Sequence, residues 1–201
     1  MIPAVVLAAG DSLRMGRSKA LLPIGPQNES FLNRIARVLR DGGVDDIIVV
    51  LGGDKDAVRA AMPTPAPYIR LIDNLNYEQG QLSSLLIGLG AVDRPGVSAV
   101  LVTLIDVPLV SAETVRAILK AYRESGKAIV RPTKGTQHGH PVLFDRSLFQ
   151  ELRRADPKTG ARSVVHAHAA DVLNVEVADE GAFIDIDTPN DYERFVASGS
   201  F

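Results

Sequence analysis

The 201-residue sequence contains no cysteine, which excludes disulfide frameworks, thiolate metal sites and cysteine nucleophiles together. That absence is compatible with a cytoplasmic location, which is the expectation. Only 5% of residues are aromatic, and the formal net charge is -2 with a pI of about 6.1. The chain therefore offers neither the basic stripe nor the stacking platforms of a nucleic-acid surface. No apolar run approaches the roughly 20 residues a membrane helix needs, so no membrane span is expected. The opening MIPAVVLAAG lacks a positively charged leader and runs directly into Asp11 and Arg14, so it reads as a strand rather than a secretion segment. With 46% apolar and 23% charged residues, the composition is that of an ordinary globular chain. Its length suits one domain spanning 1–201.

Runs rich in Val and Ile recur at 4–8, 46–51, 68–72, 99–105 and 127–132. Between them lie stretches of helical spacing at 31–41, 54–62, 82–92 and 112–125. Such alternation predicts crossovers and a mostly parallel sheet covered on both faces. Gly42 and Gly43 should stop the first helix, Ser111 should cap the fourth and Gly126 should end it. After residue 135 the pattern changes: 140–144 and 172–177 read as strands, 146–154 and 161–168 as helices, suggesting an inserted or appended lobe. Thr188, Pro189 and Asp191 then spell a capped start for a closing helix.

The first strand leads into LAAGDSLRMGRSKALLP, residues 7–23. In open α/β sheets ligands collect beyond the carboxyl ends of the strands, where this loop must lie. Gly10 and Gly16 allow tight turns and bring backbone N–H groups close to a ligand. Arg14 offers a planar fork for phosphate oxygens and Lys19 a compact charge. A solvated loop with clustered cations is the bland alternative. A phosphate-binding Walker loop requires four residues between its glycines followed by Lys-Ser/Thr, whereas five separate Gly10 from Gly16 here. The dinucleotide pattern G-x-G-x-x-G does not occur.

The ordered string Leu7, Ala8, Ala9, Gly10, Ser12, Arg14, Gly16 and Lys19 is similar to the signature of nucleotidyltransferases that join a nucleoside triphosphate to a phosphate-bearing acceptor. Together with blocks at 79–89, 104–110, 138–146, 156–165 and 185–192, the chain resembles the molybdenum cofactor cytidylyltransferases over nearly its full length. The resemblance implies an α/β, Rossmann-like three-layer sandwich with a small C-terminal acceptor-binding lobe. Residues 1–135 would mainly hold the nucleotide; 136–201 would mainly hold the acceptor and supply the closing helix. It further implies a transfer of CMP from CTP to molybdopterin cofactor with release of pyrophosphate, and a recipient molybdoenzyme as a further partner. GTP is the rival donor, other phosphate acceptors are open, and a catalytically silent nucleotide- or cofactor-binding accessory protein is a rival of another class. Alanines at 8 and 9, where guanylyltransferases tend to carry more glycine, lean the reading towards CTP.

Asp106, behind an apolar strand and before Pro108, could hold Mg2+ against the α-phosphate, since that ion needs only one or two carboxylates besides phosphate and water. Capping a turn is its alternative role. The resemblance adds Asp185 as the second metal-side carboxylate, ahead of Asp187; helix capping is open for both. With Arg14, Lys19 and Asp106 as catalytic candidates, Gly80, Ser83 and Ser84 join the nucleotide set, the serines being equally suited to capping. The resemblance puts His140 and Pro141 near the acceptor. Lys158 and Arg162 flank Gly160 where a helix begins and could receive an anion or stand as surface cations. The pairs His138/His140 and His166/His168 have chelate-like spacing without a third ligand in view. The segment 24–32 is longer than the resemblance implies.

Overall fold

The computed structural model describes residues 1–10 and 15–198. Strand β1 (Ala4–Ala8) is central because every one of its residues is buried, as a strand covered on both faces requires. It pairs in parallel with β4 (Ile47–Leu51) on one side and β6 (Ala99–Leu104) on the other. Beyond β4 lies parallel β5 (Ile69–Asp73). Beyond β6 lies antiparallel β9 (Val142–Asp145), then β7 (Ile129–Lys134) and finally β10 (Val172–Glu176), which runs parallel to β7. The short β8 (Gln137–His138) folds back on β7. The strands after residue 135 thus extend the same sheet, giving the order β10-β7-β9-β6-β1-β4-β5.

The period of two along β1 sorts the core into halves. Ala4, Val6 and Ala8 face a cluster containing Phe31, Ile35 and Leu39 of α1 (Phe31–Asp41) and Ile118 of α4 (Ala112–Ser125). Val5, Leu7 and Ala9 face the other, containing Leu82, Leu85 and Leu89 of α3 (Gln81–Val92) and Phe149 and Leu152 of α5 (Phe149–Arg153). These are the three expected layers. Gly88 of α3 lies so close to β1 that a Cβ there would meet Val5 Cγ1 at 2.4 Å, so helix and strand approach closely at the level of the first strand.

The helix ends expected at Ser111, Gly126 and Thr188 are present, and Ser30 adds a further cap at the first helix. Ser30 accepts from Asn33 N and Ser111 from Thr114 N, each capping its helix, while Gly126 closes α4 in the left-handed conformation at φ 65°. Thr188 and Asp191 exchange the reciprocal bonds of a capping box at the head of α7 (Pro189–Ser198). The extra length at 24–32 is accounted for by a hairpin, β2 (Pro23–Ile24) with β3 (Glu29–Ser30), which delivers Ser30 to the start of α1. The remaining short helices are α2 (Lys55–Ala61) and α6 (Ala161–Ala167). No helix among the described residues is long and apolar enough to cross a membrane.

Candidate active site

Three parallel strands end side by side at β6, β1 and β4, and a cleft of about 240 Å3 opens beyond them. Its floor is the end of β1 and the residues following it: Leu7, Ala8, Ala9 and Gly10 all line it. That backbone is held from behind by Gly52, where a Cβ would stand 2.1 Å from the Ala9 carbonyl oxygen. Only a glycine lets the loop after β4 pass so near. Ser12 and Arg14, both expected to bind nucleotide, lie outside the described residues. Gly16 adopts φ 64°, a conformation that favours glycine, but does not line the cleft.

Lys19 and Asp106 line the cleft at the β6 side, together with Asp187. Lys19 Nζ lies 2.6 Å from Asp187 Oδ1 and 3.7 Å from Asp106 Oδ2, with only 13% of its side chain exposed. Burial pushes the Asp106 carboxyl up, the Lys19 charge pulls it down, and Asp185 and Asp187 push it up again. Asp106 Oδ1 is enclosed and accepts no hydrogen bond. Arg34 Nε donates to the Pro108 carbonyl at 2.9 Å, which anchors the turn carrying Asp106.

The segment before α7 is threaded against this turn. Ile186 N donates to the Asp106 carbonyl at 2.8 Å, and a Cβ at Gly181 would meet the Leu109 carbonyl at 2.1 Å. Asp185 and Asp187 therefore flank Asp106, although Asp187, and not Asp185, lines the cleft itself. Among the described residues no group of three or more His, Asp or Glu side chains gathers as a ready metal cage.

His140 sits beside the same segment, its N–H donating to the Ala182 carbonyl at 2.9 Å. Burial pushes its imidazole below the usual histidine range; a backbone hydrogen bond involving Val102 and the charge of Asp185 raise it, and Arg162 lowers it. The shift favours the neutral ring, whose Nδ1 is buried and without a hydrogen-bond partner. Pro141, joined to it by a cis peptide bond, is buried. Arg162 and Lys158 are exposed, and the charge of Arg162 reaches His140. Of the other paired histidines, His138 is exposed on β8 and His168 Nε2 contacts Glu151 Oε2 at 2.6 Å.

At the opposite end of the cleft stand Tyr77, Gly80, Gln81 and Ser84. Gly80, at φ 97°, precedes α3. Ser83 and Ser84 are both claimed by Asn74, whose Nδ2 donates to them at 2.8 and 3.0 Å. Asn74 is only 2% exposed, so it staples the end of β5 to the start of α3. Ser83 does not line the cleft; its hydroxyl donates to the carbonyls of Asn76 and Gly80. Asp54, on the loop after β4, also lines the cleft and receives the Ser18 hydroxyl. Neither Asn74 nor Asp54 carries a local motif, and their role follows only from which strand ends are neighbours.

A cleft at the ends of parallel strands, with Gly10 on its floor and a buried lysine between two carboxylates on its wall, is the site of a nucleotide-handling α/β protein. The chain belongs to the MobA-like NTP transferase family, whose domain it matches over residues 4–172. It is 29% identical to the molybdenum cofactor guanylyltransferase of Rhizobium meliloti over 202 residues, covering 96% of this chain and 89% of that one. The crystal structure of Rv0371c from Mycobacterium tuberculosis is 32% identical, with a TM-score of 0.81 over 98% of both chains. A second structure of that protein, in complex with manganese, is 31% identical with a TM-score of 0.76 over 98% of both chains. The family match ends at residue 172, before the segment that brings Asp187 to the cleft.

Proposed function

We propose that this protein transfers a nucleoside monophosphate from a nucleoside triphosphate to the terminal phosphate of molybdopterin cofactor, releasing pyrophosphate. The observation that carries the reading is Lys19, buried at the cleft wall between Asp106 and Asp187 over the glycine loop; the name of the Rhizobium meliloti relative supplies the acceptor. An acceptor phosphate oxygen attacks the α-phosphorus, the P–O bond to the bridging oxygen breaks, and pyrophosphate leaves with that oxygen. The attacking group is already an anion, so no strong general base is needed, and the protein's work is positioning and charge neutralisation.

Lys19, with Arg14, would hold the triphosphate and then the departing pyrophosphate. His140, Pro141, Lys158 and Arg162 would form the acceptor side, with His140 as a neutral hydrogen-bond partner. The enclosed, unsatisfied Asp106 Oδ1 with the charges of Asp185 and Asp187 beside it fits a hard divalent cation such as Mg2+, which takes carboxylate oxygens and completes its shell with phosphate and water. Asp106 and Asp185 would hold it. When bound, such an ion neutralises charge developing on the phosphates.

For the donor, the relative's name favours GTP. A second reading, CTP, rests on Ala8 and Ala9, which line the cleft where less room is left than beside glycines. Both are only 3% exposed with their methyl groups packed in the two cores, so their leverage on the base is small. A methyl is worth about 1–3 kcal/mol of discrimination at most. The test is pyrophosphate release with Mg2+ and molybdenum-loaded molybdopterin, comparing GTP, CTP, ATP and UTP. Release with GTP supports the first donor and release with CTP alone the second. No release from folded protein with intact acceptor points to another acceptor or to a binding protein that serves a recipient molybdoenzyme.

A further inference from the structure

The strand order sets out the cleft as a line. Asp106 follows β6, Gly10 follows β1 and Asp54 follows β4, while Tyr77 and Ser84 come from just before and within the start of α3, which packs across β1 and β4. Adjacent strands stand about 4.8 Å apart, so each successive strand end meets the next part of an extended nucleotide. With the phosphates at Lys19 and Asp106, the sugar falls opposite β4, and the base lies between the end of β1 and the start of α3 that covers it.

Asp54 is the acidic side chain at that middle position. The Ser18 hydroxyl donates to its Oδ2, and Ser18 precedes Lys19, so the carboxylate is tied to the residue beside the triphosphate lysine. Its Oδ1 is enclosed and accepts no hydrogen bond. An orphaned carboxylate oxygen in a protein wall is costly and calls for a donor. The carboxylate thus stands in the cleft wall with one oxygen held by Ser18 and the other without a donor. The neighbouring strand of a nucleotide-binding sheet is also where a carboxylate meets ribose hydroxyls in dinucleotide folds.

We infer that Asp54 reads the sugar: it accepts a hydrogen bond from the 2′- or 3′-hydroxyl of the bound nucleotide and makes the cleft selective for ribonucleotides. The inference rests on the nucleotide reading of the cleft but holds for either donor base.

The test is equilibrium binding of GTP and CTP and of their 2′-deoxy and 3′-deoxy forms, with Mg2+ and no acceptor, to the wild-type chain and to Asp54→Ala and Asp54→Asn. The wild type is expected to bind at least one deoxy form about ten- to hundredfold more weakly, the range of a hydrogen bond to a charged acceptor. In Asp54→Ala that ratio should collapse towards one, and in Asp54→Asn it should shrink. Equal binding of ribo and deoxy forms by the wild type overturns this inference and leaves the nucleotide reading standing. So does a ratio preserved in both variants, or a variant that reorders the bases while keeping the ratio. Folded wild-type protein that binds no nucleotide overturns the nucleotide reading and this inference together.

Discussion

Lys19 Nζ and Asp187 Oδ1 meet at 2.6 Å although 168 positions separate them in the chain. The contact ties the residues that follow β1 at one end of the sequence to the segment before the last helix. Lys19→Ala should lower kcat/KM by about 10²–10³, as removal of a preorganised charge donor does, with little change in the folded structure by circular dichroism. Asp187→Asn keeps the shape and loses only the partner's charge, so about a tenfold fall is expected. Steady-state pyrophosphate release measures both, and an unchanged rate in Lys19→Ala removes that residue from the mechanism.

Gly52 and Ala9 offer a purely steric handle on the same loop. In Gly52→Ala the new methyl meets the Ala9 carbonyl, so backbone must shift at the cleft floor. A loss of about 1–3 kcal/mol in denaturant unfolding is expected, together with weaker nucleotide binding by titration. Gly90, with nothing within 4 Å of an added Cβ, serves as control, and Gly90→Ala should leave nucleotide binding intact.

Asn74→Ala removes the staple between β5 and α3. Its Nδ2 and Oδ1 serve Ser83, Ser84 and Asn76 N, and leaving buried partners unsatisfied costs about 1–3 kcal/mol. Chemical denaturation reads that loss, and the start of α3 should show faster amide exchange than in the wild type.

The pH dependence of stability has a marker far from the cleft. Burial raises the Tyr122 phenol, and hydrogen bonding to Asp145 raises it further, from 10.0 to about 12. A group whose folded pKa lies above its unfolded value lends stability below the unfolded pKa and loses it as pH rises through the folded one. Stability should therefore decline between pH 10.0 and about 12, and Tyr122→Phe should flatten that limb while costing about 1 kcal/mol at neutral pH. Denaturant melts at several alkaline pH values check it.

Local signals made much of this molecule legible in one dimension. The buried run at 4–8, the Ser111 and Thr188 caps and the Gly126 stop are written in neighbouring residues, because hydrogen-bond demand at helix ends and the two periodicities act over a few positions. Asp106 was legible because it stands just beyond an apolar strand, and Lys19 because it closes the string of glycines and cations that follows β1. The hairpin at 23–30 was less so, since two-residue strands have too few positions for a period to show.

What the sequence by itself determined is the succession of strands and helices and the loop chemistry at the end of the first strand. Which strands become neighbours was decided only in three dimensions, where β9 enters antiparallel between β6 and β7 and β4 comes to lie beside β1. That choice brings Asp54 and Asp187 to one cleft and lets the buried Asn74 hold Ser84, which lines it. Long-range pairing is settled by how complete the buried faces become, a property of the whole sheet that no single window of residues contains.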